Sequence, residues 1–186
     1  MDKINEDFRL KYLKKYNISE IKSEINKLEK EWLEDTHRQE IFNNHKETVT
    51  YFLTDYPLEW KVGDPYAGSV RHPESYLYAL VKPIIEDLEQ FHGGRVGRAI
   101  FPKLSAKKNI GGHIDSGEYL NVIRRHHIPI ITNPDVWFNV GKGWINMFEG
   151  ECWEINNRKW HEVSNESNKD RVHLLIDIIP NEALGE

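Results

Sequence analysis

Apolar positions recur at helical steps in the first half of the chain and in short, turn-bounded runs in the second. Ile18, Ile21, Ile25, Leu28 and Trp32 follow one another by three or four residues within a highly charged stretch, residues 1–47, and Ser19 can cap the start of that run. This predicts an amphipathic helix laid on the core, or, in a sharper reading, a dimerisation helix or a lid. Residues 48–72 break into Tyr51-Phe52-Leu53, Asp55-Tyr56-Pro57 and the turn-rich stretch from Trp60 to Gly68. The aromatics there are expected as structural plugs, with Trp60 and Tyr66 as candidate substrate or lid contacts. Over residues 73–91, Tyr76, Leu77, Leu80, Val81, Ile84, Ile85, Leu88 and Phe91 form one broad stripe, so a helix is expected. Pro73 suits its first turn, Pro83 is placed to kink it, and Gly93-Gly94 can end it.

Beyond Gly94 the pattern shortens to strand length. Strands are expected over residues 95–101, 112–115, 121–132, 136–140, 144–148, 152–155, 161–164 and 171–179. The turns between them include Asn133-Pro134-Asp135, Gly141-Lys142-Gly143, Glu149-Gly150 and Asn156-Asn157. Helices first and then a series of short strands predict an α+β chain. Its core is a double-stranded β-helix, the cupin-like jelly roll, braced on one face by N-terminal helices. The expected organisation is one domain over residues 1–186, with 1–92 a mainly helical support and 93–186 the jelly-roll core.

Charge changes this picture little. Lys and Arg total 25 against 30 for Asp and Glu, a formal net charge of −5 with no dominant basic run, which disfavours nucleic acid as a partner. The single cysteine, Cys152, has no internal disulfide partner and reads as a small core residue. No secretory leader pattern opens the sequence and no apolar run approaches the roughly 20 residues that span a bilayer, so a cytoplasmic protein without membrane contact is expected.

The candidate chemistry lies between Gly112 and Arg171. On an extended segment, residues i and i+2 share a face, so His113 and Asp115 can reach a common point. His161, on a distant strand, supplies a third donor. Two imidazoles and one carboxylate make the facial triad of non-haem Fe(II) oxygenases, which leaves positions open for a co-substrate and O2. The usual electron donor at such iron is a dicarboxylate, and its far end calls for a buried, bidentate cation. Arg171 leads into the apolar run Arg171-Val172-His173-Leu174-Leu175-Ile176, about ten positions after His161, and fits that task. A structural ion pair with Asp177 or Glu162 is its plainer alternative. His173 shares a face with Arg171 and is a candidate partner behind it. Arg124-Arg125-His126-His127 alternate along one strand, so only one pair can face inward. His37, His45, His72 and His92 lack ligand spacing and read as surface residues.

His113-x-Asp115, Arg125-x-His127-Ile128-Pro129-Ile130, His161-Glu162-Val163-x-Asn165 and Arg171 together resemble the aspartyl/asparaginyl β-hydroxylase family of Fe(II)/2-oxoglutarate-dependent dioxygenases. The resemblance covers about half the chain, from Arg95 to Pro180. It implies that His113, Asp115 and His161 hold iron and that Arg171 grips the distal carboxylate of 2-oxoglutarate. It further implies that Arg125 and His127 lie near co-substrate and substrate carboxylates, selecting that pair over Arg124 and His126. The implied activity is hydroxylation of an unactivated C–H with O2, releasing succinate and CO2, with ascorbate supportive. The implied substrate is a free amino acid or an Asp, Asn or Pro-type side chain of a peptide or protein, met by Arg125 or Arg124. One departure is the segment from Leu104 to Gly112, which replaces the family's usual Pro-Gly turn before the first ligand. The rivals are a cupin-like module that binds a metal and a small acid without turnover, and a structural β-domain that assembles as a homodimer through its N-terminal helix.

Overall fold

The computed structural model describes residues 9–28, 32, 48–57 and 59–185. The large sheet holds seven strands: β1 (Leu10–Lys15), β2 (Thr48–Asp55), β3 (Ser69–Val70), β4 (Gly94–Leu104), β6 (Arg124–Ile131), β9 (Glu151–Ile155) and β11 (Arg171–Pro180). The small sheet holds four: β5 (Asn109–His113), β7 (Val136–Asn139), β8 (Trp144–Ile145) and β10 (His161–Asn165). Their orders are β1-β9-β6-β11-β4-β2-β3 and β5-β10-β7-β8, and the neighbouring strands run antiparallel. Two facing antiparallel sheets form the expected jelly roll.

Every residue of β11 is buried, because both faces of this central strand are covered. Val172, Leu174, Ile176 and Ile178 join one core cluster with Ile128 and Ile130 of β6. Helix α2 (Tyr76–His92) covers that face with Leu77, Val81, Ile84, Ile85 and Leu88. Its stripe matches the expected helix. Its start differs, since Ser75 rather than Pro73 sets it: the Ser75 hydroxyl accepts from the Tyr78 amide at 3.1 Å. Gly93 ends it at φ 61, a left-handed turn that suits glycine, and the helix continues through Pro83. The opposite face of β11, from Arg171 through His173 and Leu175 to Asp177, looks between the sheets, where Leu104, Ile110, Phe138, Val140 and Val163 form a second cluster.

The N-terminal half departs from its expectation. Residues 1–92 contribute β1, β2 and β3 as well as helices. The helix in the first stretch, α1, is confined to Ser19–Ile25, and no side-chain hydrogen bond caps its start. Its apolar residues Ile21 and Ile25 are buried in the same cluster as α2, so this face is used within the chain. The remainder of the expected helix lies outside the described residues apart from Leu28 and Trp32, as do His37 and His45. The strand expected over residues 121–132 is likewise shorter, because Glu118–Val122 form a short helix, α3, before β6 begins. Among the described residues no helix is long and apolar enough to cross a membrane.

Candidate iron and co-substrate site

β5 ends on His113 and β10 begins on His161, and the antiparallel register sets these two residues opposite each other. Their ring centroids lie 4.3 Å apart. Asp115 falls just beyond the end of β5 rather than on it, and its amide donates to the Asn157 carbonyl at 3.0 Å, which ties the loop down. One ligand atom from each of His113, Asp115 and His161 lies within 4.8 Å of the others, with His113 Nε2 3.6 Å from Asp115 Oδ1.

Backbone carbonyls fix both imidazoles. His113 Nδ1 is 2.8 Å from the Gly111 carbonyl and His161 Nδ1 2.9 Å from that of Lys159. Carbonyls only accept, so each Nδ1 carries the proton and each Nε2 presents a lone pair to the shared point. Burial lowers the His161 pKa, in the direction that keeps it a neutral ligand. Burial alone would raise the Asp115 pKa, but Arg125 and the two imidazoles reverse this, and the carboxylate stays ionised at neutral pH. Phe138 lies parallel to His161, with centroids 6.3 Å apart. Trp160 packs so tightly on Gly112 that an added Cβ would lie 2.2 Å from its ring. That close approach requires glycine at this position of the departing loop.

Arg125 faces inward, as the resemblance implies, but its guanidinium is already engaged. Nε and Nη2 donate to the two oxygens of Asp177, each at 2.8 Å, and Nη1 donates to Asp115 Oδ2. The pairing of β6 with β11 sets Arg125 directly across from Asp177. Burial would by itself lower the Arg125 pKa, yet the two carboxylates raise it overall. Arg125 therefore orients one oxygen of Asp115 and leaves the other toward the imidazoles. All three guanidinium nitrogens of Arg125 are thereby engaged with carboxylates of the chain.

Arg171 is the reverse case. It is 1% exposed, and its Nε finds no hydrogen-bond partner. Its Nη2 lies 2.7 Å from His173 Nδ1, and among the described residues no carboxylate pairs with it. Burial without a counter-charge pushes its pKa down to about 9. The alternative ion pair with Asp177 is absent because Asp177 serves Arg125. His173 and His127 lie behind Arg171, with Nδ1 atoms 3.4 Å apart, and burial keeps both well below the usual histidine range. Arg171 is thus a buried cation with no carboxylate partner among the described residues.

The profile of the family described as aspartyl/asparaginyl beta-hydroxylase matches residues 15–180. The chain belongs to this family. As a member of the aspartyl/asparaginyl β-hydroxylases it is an Fe(II)- and 2-oxoglutarate-dependent oxygenase. The sequence finds no match among curated proteins. Solved structures share the fold at low identity. A 2OG-Fe(II) oxygenase family oxidoreductase from Burkholderia pseudomallei is 11% identical with TM-score 0.61, over 96% of this chain and 90% of its own. The viral collagen prolyl hydroxylase of Paramecium bursaria Chlorella virus-1 is 6% identical with TM-score 0.62, over 96% and 99%. A Pseudomonas putida prolyl-4-hydroxylase is 11% identical with TM-score 0.56, over 94% of each chain.

Three other expected residues of this hydroxylase lie elsewhere. Arg124 turns away from the barrel interior and donates to Glu154 at 3.2 Å, since alternation along β6 puts it on the face opposite Arg125. Trp60 is buried and Tyr66 half-buried, in one aromatic cluster with Tyr56 and Tyr119. Tyr66 donates to the Val96 carbonyl at 2.8 Å, so its ring is fixed within that cluster. His92 is not a free surface residue: its Nε2 lies 2.8 Å from His126 Nε2. Sequence reading placed Asp177 only as an alternative partner of Arg171, not as the anchor of Arg125, and missed Tyr119, which donates to Asp177 at 3.2 Å. An acidic residue inside an otherwise apolar strand was the available signal for the first.

Proposed function

We propose that this hydroxylase inserts oxygen into an unactivated C–H of a free amino acid or of an Asp, Asn or Pro-type side chain in a peptide or protein. In the proposed reaction 2-oxoglutarate and O2 yield succinate and CO2, with one oxygen atom of O2 entering succinate and the other the product hydroxyl. His113, Asp115 and His161 would hold Fe(II), which supplies the O2 chemistry when bound, and the donor set of two nitrogens and one oxygen suits it. Arg171 would take the distal carboxylate of 2-oxoglutarate. The observation that carries this reading is the Arg171 guanidinium, buried with an unpartnered Nε and, among the described residues, no counter-charge.

The chain's own work is placement. Two backbone carbonyls aim the imidazoles, and Arg125 holds the carboxylate ligand rather than a substrate. His127 and His173, held neutral by burial, set polar but uncharged groups beside Arg171. Phe138 lies parallel to the His161 ring and packs beside that ligand. A protein or peptide side chain belongs among the candidate substrates because two structural relatives are named as prolyl hydroxylases.

The test is succinate release from 2-oxoglutarate with Fe(II), ascorbate and pools of amino acids and peptides, comparing the wild type with His113→Ala. The expected result is iron-dependent succinate from the wild type and a loss of at least about a hundredfold in the variant, since the metal and its co-substrate carry the chemistry. Iron and 2-oxoglutarate bound without succinate under any pool would favour a binding module without turnover.

A further inference from the structure

On the reverse face of β6 a second group of ligand atoms converges. His92 is the last residue of α2, His126 lies on β6, and Glu154 stands opposite His126 in the β6–β9 register. One ligand atom from each lies within 4.8 Å of the others. His126 is 0% exposed and Glu154 is buried as well. His126 Nδ1 is 3.1 Å from the Ile176 carbonyl, so that nitrogen carries the proton and Nε2 presents its lone pair. His92 Nε2 faces that lone pair at 2.8 Å. The arrangement repeats the device of the iron site, with a backbone carbonyl behind a histidine, two Nε2 atoms face to face and a carboxylate beside them.

We propose that His92, His126 and Glu154 form a second metal site, separate from the iron centre, that takes a zinc-class divalent cation and pins the end of α2 to the large sheet. Two imidazoles and one carboxylate match the donor preference of Zn(II), whereas Mg2+ and Ca2+ prefer oxygen sets. Positive neighbours compete with the cation: Arg124 holds Glu154 at 3.2 Å, and Lys11 stands opposite Glu154 across β1–β9. The Arg124 side chain is 24% exposed, so it can leave Glu154 for solvent when a cation arrives. Glu154 is then the one negative charge of the set, and the site depends on it.

The test separates the two centres by disabling the first. Full-length protein carrying His113→Ala and His161→Ala is titrated with Zn(II), followed by metal analysis and thermal unfolding, and with Co(II), followed by visible absorption. It should retain one tightly bound zinc, show the d–d bands of a low-coordinate cobalt site, and gain roughly 5–10 °C in Tm at a hundredfold excess over Kd. Adding His92→Gln or Glu154→Gln should abolish all three effects. His92 is partly exposed at a helix end, so its substitution leaves the fold intact, and unchanged Tm without zinc checks that. No zinc retained by the iron-site variant, or zinc retained equally after His92→Gln and Glu154→Gln, would overturn the proposal.

Discussion

Single buried imidazoles set how this protein answers acid. His126 titrates near 3 in the folded chain because burial disfavours its charged form, and the neighbouring His92 lies in the same direction. Unfolded, an imidazole binds its proton below about 6.5. The unfolded state therefore holds more protons between the two values, and stability, full above about 6.5, drains as pH falls toward the folded values. His127 and His173 act in the same sense, being held well below the usual range by burial. Each fully buried imidazole contributes up to about 1.4 kcal/mol per pH unit in that window. Urea unfolding between pH 7 and 5 should show a falling midpoint, and His126→Asn should flatten the slope by about one proton. A flat wild-type profile would contradict these burials. The convergence of His113 with Asp115 was legible in the sequence from their two-residue step, although Asp115 lies just beyond the end of β5. The carbonyls of Gly111, Lys159 and Ile176 that aim the histidines were not, since backbone groups leave no mark in residue identity.

At the level of elements, the β6–β11 register decides which charges meet. It sets Asp177 against Arg125, and Arg125 then reaches Asp115 in the loop after β5. Asp177→Ala leaves a buried guanidinium with one carboxylate, and removing one partner of such a pair costs about 3–5 kcal/mol. Because Arg125 orients Asp115, metal affinity should also fall about 10- to 100-fold. Urea unfolding and Co(II) titration read the two effects, and unchanged affinity would show that Arg125 does not position the ligand. Strand alternation allowed either Arg125 and His127 or Arg124 and His126 to face inward, and only cross-strand pairing separates these choices. The same limit explains β1 and β2. β1 reads Leu-Lys-Tyr-Leu-Lys-Lys, charged enough to pass for a helix surface, and becomes a strand by pairing with β9 on the edge of the sheet. β2, rich in Thr and aromatics beside turn residues, finds its partner in β4, far along the chain. The long stripe of α2 needed no such partner to be read, since its period lies within one segment.

At the scale of the molecule, two sheets close around a polar interior that would otherwise destabilise them. His173, Asp177, Arg125, His127 and Arg171 are all buried there. Asp177 and Arg125 answer each other's charge, whereas Arg171 Nε and His173 Nε2 find no hydrogen-bond partner among the described residues. In the function proposed above, the two-histidine, one-carboxylate cluster would take iron and the unpaired Arg171 guanidinium the far carboxylate of its co-substrate. The most direct measurement is an anaerobic titration of the Fe(II)-loaded protein with 2-oxoglutarate, followed by visible absorption, in the wild type and in Arg171→Met. Chelation of the iron by the 2-oxo acid should give a saturable charge-transfer band in the wild type. In Arg171→Met, which keeps the cluster but loses the buried guanidinium, saturation should require at least about a hundredfold more 2-oxoglutarate, the scale of a lost charge-assisted bidentate contact. Equal affinity in the two proteins would contradict the assignment of Arg171, and no band in the wild type would contradict the iron site itself.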